Sequence, residues 1–318
     1  MALLITGGCG YIGSHIAVAA ALQGMPVVVL DMQNDVPEIF TKLGIITVQA
    51  DCGDGALIRA LCAKYALSAA VHCAALIDVG ESVLLPHDYY DTNVARAIAC
   101  MNALSAAGVD RIIFSSSCAV YGVPLHIPIP DTHPRNPISP YGRTKCAIEW
   151  YLEDMSAAGK LRVALLRYFN AAGGSPEWGL FERHEPESHL IPRIIAAARD
   201  DHSITIFGTD YPTPDGTAIR DYVHVQDLAD AHLRALDLLK REQFLALNLG
   251  TGKGFSVAEI VAATERVLKK RIKQIIAPRR PGDPAQLIAD PTNAARLLGW
   301  KPRWNDLEKI LLSCQIFS

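Results

Sequence analysis

The sequence predicts an α/β protein, a doubly wound parallel sheet followed by a smaller C-terminal domain. Three observations carry this. Short apolar runs alternate with helical patterns through the first half of the chain. A glycine-rich turn, Gly7-Gly8-Cys9-Gly10-Tyr11-Ile12-Gly13, joins the first apolar run to the first helical one. The alternation then loosens after about Tyr168, and residues 171–188 turn rich in Gly, Pro, Glu and His.

Taken in order, a strand at 2–6 leads through the glycine turn into a helix at 12–23. Strands at 26–30 and 45–49 follow, and Val27-Val28-Val29 in the first of them suits a sheet buried on both faces. A helix at 54–65, a strand at 68–73, a helix at 92–107, a strand at 111–115, a helix at 143–158 and a strand at 162–167 complete the alternation. In such a sheet ligands sit at the carboxyl ends of the strands, near the point where strand order reverses. Beyond Tyr168 a long loop over 171–188 precedes helices at 190–199, 226–240, 256–270 and 292–298, with Pro/Gly-rich breaks at 208–216 and 278–284. The expected division is 1–168 for the dinucleotide-binding domain, with return elements from about 219–250, and 169–318 mainly for a smaller domain that caps it.

With 318 residues the chain is long enough for a large core and two domains. Half of it is hydrophobic, 20% is charged and the net charge is -3, so there is no electrostatic basis for binding nucleic acid or an anionic membrane. The eight cysteines form no CxxC pair and no His/Cys cluster, so they read as reduced, mostly buried thiols, and no metal is expected. The apolar stretch from Ile16 to Leu30 is interrupted by Gln23, Gly24 and Pro26 and reads as helix then strand, not as a membrane span. Met1-Ala2-Leu3 runs directly into the first strand without a basic start, which gives no signal peptide and points to the cytoplasm.

The glycine turn is the first chemical signal. Backbone N–H groups at a helix N-terminus hold phosphate, and Gly7, Gly10 and Gly13 let a pyrophosphate come close. Asp31 lies at the end of the second strand, 18 residues past Gly13. A carboxylate there accepts from a ribose diol and repels a 2′-phosphate, and no Arg or Lys follows it closely, so NAD is favoured over NADP. Asp51, after the third strand, is expected on the adenine side. The second signal is Tyr141-Gly142-Arg143-Thr144-Lys145, in which Tyr and Lys share one helical face. A tyrosine with a pKa of about 10 needs roughly 3 units of help, about 4 kcal/mol, to act as a base at neutral pH. An ammonium about 4 Å away supplies on the order of 4 kcal/mol at an effective dielectric near 20. Ser115-Ser116-Ser117, at the end of the preceding strand, adds a hydroxyl that can share the substrate's proton.

Together the glycine loop, Ser117 and Tyr141-x-x-x-Lys145 resemble the extended short-chain dehydrogenase/reductase superfamily, and more narrowly its UDP-glucose (UDP-galactose) 4-epimerase family. The narrower likeness rests on Val79-Gly80-Glu81-Ser82, Ser139-Pro140-Tyr141-Gly142, Leu166-Arg167-Tyr168-Phe169-Asn170, the segment from Asp210 to Val225, Asn248-Leu249-Gly250 and Arg279-Arg280-Pro281-Gly282-Asp283. It covers nearly the whole chain, and the 210–225 segment is the most specific part of it. The resemblance implies a Rossmann-type sheet with a C-terminal substrate-binding domain, tightly held NAD, a UDP-hexose substrate and a homodimer. It makes Tyr141 the acid/base, has Lys145 lower the tyrosine's pKa and bind the nicotinamide ribose, and places Ser117 on the sugar O4. Gly7, Gly10, Tyr11, Ile12, Gly13, Asp31, Asp51, Cys52, Ala74, Asn93 and Tyr168 would line the cofactor. Asn170, His189, Leu190, Thr205, Phe207, Arg220, Arg280 and Asp283 would hold the uridine diphosphate, and guanidinium forks suit its phosphates.

Three positions depart from the family pattern. Ile77 stands where some members carry a cofactor-contacting lysine, and the stretch after Asp31 is short. Leu287 falls where pocket size is set, and its bulk argues against N-acetylated sugars. The chain also stops at Gln315-Ile316-Phe317-Ser318, short of a longer final helix. A 4,6-dehydratase would need a carboxylate acid/base pair just after Ser117, where Cys118-Ala119 stands instead. A 4-epimerase of UDP-N-acetylhexosamine or UDP-pentose is the nearer alternative, and a non-catalytic NAD sensor is opposed by the intact Ser117, Tyr141 and Lys145. Ala147, Ile148, Tyr151, Leu152 and Met155 spread beyond one face of the 143–158 helix, as a dimer-forming helix would.

Overall fold

In the computed structural model of the chain, residues 2–280 and 282–314 are described. Pro281 of the Arg-Arg-Pro-Gly-Asp motif and the terminal Gln315–Ser318 lie outside them. In chain order the strands are β1 (Ala2–Thr6), β2 (Val27–Asp31), β3 (Ile46–Gln49), β4 (Leu67–His72), β5 (Arg111–Ser117), β6 (Arg162–Tyr168), β7 (Asn170–Ala172), β8 (Ser203–Phe207), β9 (Ile219–Arg220), β10 (Tyr222–His224), β11 (Phe244–Leu249), β12 (Phe255–Ser256), β13 (Lys273–Ala277) and β14 (Gln286–Leu287). The helices are α1 (Tyr11–Leu22), α2 (Glu38–Leu43), α3 (Gly55–Tyr65), α4 (Val79–Leu84), α5 (Pro86–Tyr90), α6 (Ala97–Ala106), α7 (Pro140–Ala157), α8 (Leu190–Arg199), α9 (Val225–Leu238), α10 (Val257–Leu268), α11 (Thr292–Leu298) and α12 (Leu307–Ser313).

Seven strands form one parallel sheet in the order β11-β6-β5-β4-β1-β2-β3. Strand order reverses between β1 and β4, so the glycine turn at the end of β1 stands at the switch point. Successive side chains point to opposite faces, and both faces are apolar. Leu3, Ile5, Val27, Val29 and Val71 pack with Ile16 and Val18 of α1 and Leu228 of α9. Leu4, Val28, Leu30, Ile112 and Phe114 pack with Ile58 of α3, Met101 and Leu104 of α6, and Ile148 and Leu152 of α7. Helices therefore cover the sheet on both sides, the doubly wound α/β arrangement.

The six expected strands form within two residues of their expected ends. Proline has no N–H to donate, so β2 starts at Val27, although the Pro26 carbonyl still accepts from Leu3 N at 2.9 Å. α7 starts three residues before the expected 143, because Ser139 Oγ accepts from Gly142 N at 3.1 Å and Pro140 opens the helix. That start places Tyr141 inside the first turn. Three helices were not foreseen in the first half. α2 lies between Pro37 and a left-handed Gly44 (φ 66°), α4 is capped by the Asp78 carboxylate, and α5 continues through a π-helical stretch at Asp91–Arg96 into α6.

The 171–188 segment is mostly loop, but its start joins β7, which pairs in parallel with β10. The seventh sheet strand, β11, and the β8–β13 pair were also unforeseen. α8, β8, β10, α10 and α12 share a separate core of Ile191, Ile194, Ile204, Ile206, Tyr222, Ile260, Val261, Ile310 and Leu311. Among the described residues no helix is long and apolar enough to cross a membrane.

Ile148 and Leu152 are fully buried in the core of their own chain, so they offer nothing to a second copy. Tyr151 is half-buried and its hydroxyl donates to Asn102 Oδ1 at 2.8 Å. The exposed large apolar side chains on α7 and the neighbouring α4 and α5 include Trp150, Val83, Leu84 and Tyr90.

Candidate active site

The glycine turn is tight enough to demand glycine at three places, one of them Gly8, where a Cβ would stand 2.7 Å from both Val29 Cγ atoms. A Cβ on Gly13 would stand 2.2 Å from Gly7 O and 2.8 Å from Gly8 Cα, and one on Gly7, at φ +69°, would stand 2.6 Å from Ala74 N. At Gly10 the nearest obstacle is Gly7 O at 3.3 Å. Gly13→Ala is therefore expected to lower the urea midpoint clearly, by an overpacking cost of about 1–3 kcal/mol or more, while Gly10→Ala stays near wild type. Equal midpoints for the two variants would remove this reading of the turn. Gly10 caps α1 without a side-chain oxygen, so the first-turn N–H groups of Tyr11, Ile12 and Gly13 have no intrahelical acceptor.

Around this turn, Asp31 ends β2 and its carboxylate accepts from Cys9 N at 2.9 Å and Gln33 N at 3.0 Å. Asp51 accepts from Gly53 N and pairs with Arg96, both at 2.8 Å, and Cys52 beside it is buried, which pushes its thiol up to about 11. Ala74 lies against Gly7. Tyr11 turns its hydroxyl away, donating to Gly173 O at 2.6 Å, so only its backbone faces the turn's opening. Asn93 differs from expectation more sharply. Its amide bonds Leu76 N and O at 2.8 and 2.9 Å and Thr144 Oγ1 at 3.2 Å, which uses the side chain to fix the loop from Ala74 to Ile77.

Ser117, Tyr141, Lys145 and Tyr168 come together where β5 and β6 end. Ser117 and Tyr168 are register partners. Tyr141 and Lys145 are both buried, and the Ser117 hydroxyl, which accepts from Ala119 N at 3.1 Å, acts on the Tyr141 phenol to pull its pKa down. Lys145 Nζ donates to Ser115 O at 2.9 Å and stands 5.9 Å from the Tyr141 ring centroid. Burial dominates both groups: it pushes Tyr141 up to about 12, against the pull of Ser117, and Lys145 down to about 8. The expected lowering of Tyr141 by Lys145 is thus not achieved in this arrangement, because the ammonium is turned toward the Ser115 carbonyl.

The surrounding polar network was not foreseen. Glu149, fully buried on α7, accepts from Ser116 Oγ at 2.6 Å, from Arg167 Nε and Nη2 at 2.8 and 2.7 Å, and from Arg135 Nη1 at 3.1 Å. Arg167 also donates to Tyr121 Oη and Asp131 O, and the Tyr121 hydroxyl donates to Asn248 Oδ1 at 2.6 Å. α7, β5, β6 and β11 are thereby tied together beneath the Ser117–Tyr141 pair. Asp221, fully buried, accepts from Thr251 N, Thr251 Oγ1, Gly252 N and Ala289 N and so fixes the loop after β11.

On the facing side, Asn170 opens β7, and Leu287 in β14 is the register partner of Arg220 in β9. Leu287 packs on a cluster of Cys118, Val120, Tyr121, Ile129, Cys146 and Phe169 directly after Ser117. Arg220 forms an ion pair with Asp283, and the Arg280 guanidinium lies 4.1 Å over the Phe207 ring. Thr205 sits in β8, paired with Ile275 of β13, two residues from Phe207. Leu190 is the first residue of α8 and His189 its cap. The His189 ring does not point at a free site: its Nδ1 lies 3.0 Å from Glu182 Oε1 and 3.0 Å from Glu187 Oε1. Ile77 is 37% exposed, at the far end of the loop held by Asn93. All eight cysteines are free thiols.

Residues 3–250 match the model of the NAD dependent epimerase/dehydratase family. A UDP-glucose 4-epimerase of Rhizobium meliloti (strain 1021) is 44% identical over 305 residues, covering 95% of this chain and 93% of the relative. The crystal structure of a UDP-glucose 4-epimerase from Brucella ovis in complex with NAD superposes with a TM-score of 0.93 at 43% identity, covering 98% of this chain and 96% of that one. A UDP-glucose-4-epimerase from Stenotrophomonas maltophila with bound NAD and formylated UDP-arabinopyranose gives a TM-score of 0.94 at 41% identity, covering 99% and 96%.

Proposed function

We infer the function from one premise: the chain belongs to the NAD dependent epimerase/dehydratase family. It is an NAD-dependent isomerase that interconverts UDP-glucose and UDP-galactose at the sugar C4. The observation that carries the mechanism is the convergence of Ser117, the last residue of β5, with the buried Tyr141 and Lys145 in the first turns of α7.

The chain's own residues fit the cofactor. Gly7 and Gly13 leave a turn that a Cβ would fill, and Asp31 holds a carboxylate at the end of β2. Gly7, Gly10, Tyr11, Ile12 and Gly13 would cradle the pyrophosphate, Asp31 the adenosine ribose, Asp51 and Cys52 the adenine, and Ala74, Lys145 and Tyr168 the nicotinamide side. Bound NAD supplies reversible oxidation at C4 of the sugar. Tyr141 takes the proton from O4 and later returns it, while Ser117 hydrogen-bonds the same oxygen and keeps it aligned. Arg220 and Arg280 grip the two phosphates, with Asp283, Asn170, Leu190 and Phe207 around the nucleotide. Firm hold on the nucleotide and loose hold on the sugar let the 4-keto sugar turn over within the site. The elements through β6, with α9 and β11 returning, form the cofactor domain, and the remainder forms the nucleotide-sugar domain. The exposed apolar side chains Val83, Leu84, Tyr90 and Trp150 on α4, α5 and α7 support a homodimer, and the composition supports a cytoplasmic enzyme.

Two substrates separate this reading from its neighbours. Purified protein given UDP-galactose without added NAD is expected to form UDP-glucose, and UDP-N-acetylgalactosamine is expected to turn over at least about tenfold more slowly, a difference of about 1.4 kcal/mol in the barrier. Turnover of the acetylated sugar alone would overturn the reading of Leu287. A strict need for added NAD in every turnover would overturn the retained-cofactor mechanism.

A further inference from the structure

The loop between β7 and α8 holds four side chains that neither the epimerase chemistry nor the nucleotude-sugar grip uses as a set. Glu182, His184, Glu187 and His189 place one donor atom each within 4.8 Å of one another. His189 Nδ1 is 3.0 Å from both Glu182 Oε1 and Glu187 Oε1, and His184 Nδ1 is 3.7 Å from Glu182 Oε1 and 3.6 Å from Glu187 Oε2. An ion with bonds of about 2.1 Å to nitrogen and oxygen has tetrahedral edges of about 3.4 Å; the His184 separations, to one oxygen of each glutamate, lie slightly above that value and the His189 separations slightly below it.

Hydrogen bonding alone accounts for only half of the cluster. Glu187 Oε1 accepts from His189 N at 2.8 Å, and the His189 ring sits 3.0 Å from the same oxygen, so that pair is satisfied. His184 is not: both carboxylates lie beyond hydrogen-bonding distance, and its Nδ1 is buried without a partner. Among the described residues, Glu182, only 8% exposed in its side chain, has just the two imidazoles as ion-pair partners. Two carboxylates and two imidazole nitrogens thus converge on one point, a donor set that suits a divalent cation.

We propose that Glu182, His184, Glu187 and His189 form a divalent-cation site of the His2Glu2 type, suited to Zn2+, that staples the loop to the start of α8. Two imidazoles select zinc over magnesium or calcium, which take oxygen donors almost alone. Four protein ligands describe a closed structural site with no position left for substrate. Its consequence is mechanical. His189 caps α8 and Leu190 opens it, so an ion bound to Glu182 and His184 ties the loop to the helix end that faces the nucleotide.

The full-length protein, stripped with a chelator and dialysed against ZnCl2, is expected to retain about one zinc per chain by elemental analysis and to unfold at a higher temperature than the stripped form. The double variant His184→Gln/Glu187→Gln should retain less than about a tenth of that amount. Its far-UV circular dichroism and bound nicotinamide absorbance report whether it has folded. Should it fail to fold, Co2+ titration of the stripped wild type decides instead, since a tetrahedral site gives intense visible absorption bands. Equal zinc retention by wild type and a folded variant, zinc well below one per chain in the wild type, or absence of the cobalt bands would overturn the proposal. None of these readouts depends on which sugar nucleotide is turned over.

Discussion

Tyr141→Phe is expected to lower kcat by about 10²–10⁴-fold, roughly 3–5 kcal/mol of barrier, with the cofactor still bound and the affinity for UDP within about twofold of wild type. The side chain is buried at the start of α7, so losing one oxygen leaves the packing intact. What is lost is the group that takes the proton from O4. Within the protein alone that group is not poised. Burial pushes the phenol up to about 12, and Lys145 Nζ, bonded to Ser115 O, is 5.9 Å from the ring centroid. An ammonium brought to about 4 Å adds on the order of 4 kcal/mol at a dielectric near 20, about 3 pKa units, which offsets the rise caused by burial and brings the phenol below its free value of about 10. Lys145→Met should therefore shift the rise of kcat with pH, which follows ionisation of Tyr141, to higher pH as well as lower kcat, whereas Tyr141→Phe should abolish that rise. Steady-state rates from pH 6 to pH 10, on about half-unit steps, with retained nicotinamide measured alongside, distinguish the two. Near-wild-type turnover by Tyr141→Phe would end the assignment.

How much of this was legible depends on how far apart in the chain the interacting residues lie. The six strands that alternate with helices announce themselves, because a sheet apolar on both faces leaves Val27-Val28-Val29 and Ile112-Ile113-Phe114 as unbroken runs. β11 has the same chemistry in Phe244–Leu249, yet it pairs with β6 across an excursion through β7–β10, so local alternation does not reveal it. The two-residue strands β9, β12 and β14 are too short for any period, although they carry Arg220 and Leu287. Within the site, the Tyr141–Lys145 spacing and the glycine turn are local and readable. The Glu149 carboxylate is not: its partners come from positions 116, 135 and 167. The same holds for Asn93, whose sequence neighbours give no hint that it bonds Leu76 and Thr144. His184 and Glu187 lie in a segment with no helical or strand period, and only the folded loop brings Glu-x-His-x-x-Glu-x-His to one point.

Glu149→Gln is expected to cost about 3–5 kcal/mol of stability, the penalty for leaving a buried charge without its counter-ion. Arg167, 4% exposed in its side chain, donates through Nε and Nη2 to this carboxylate, and Arg135 adds a third guanidinium contact. Burial alone would lower the Arg167 pKa, but the bonds to Glu149 outweigh it and hold the guanidinium charged. An amide in place of the carboxylate removes the counter-charge and points N–H donors at N–H donors. The urea midpoint should fall accordingly, and kcat should fall with it, since Ser116, whose hydroxyl donates to Glu149, is the immediate neighbour of Ser117 on β5. The decisive arm is the double variant Glu149→Leu/Arg167→Met. Replacing a buried ion pair by apolar groups of similar volume is often neutral or stabilising, so the double variant should recover most of the midpoint lost by Glu149→Gln. It should not recover kcat, because a methionine cannot tie β6 to Tyr121 and Asp131, nor can a leucine accept from Ser116. Recovery of stability without recovery of rate marks the network as the positioner of the catalytic strand end. An unchanged midpoint in Glu149→Gln would show that the buried charges are not the element holding α7 to the sheet.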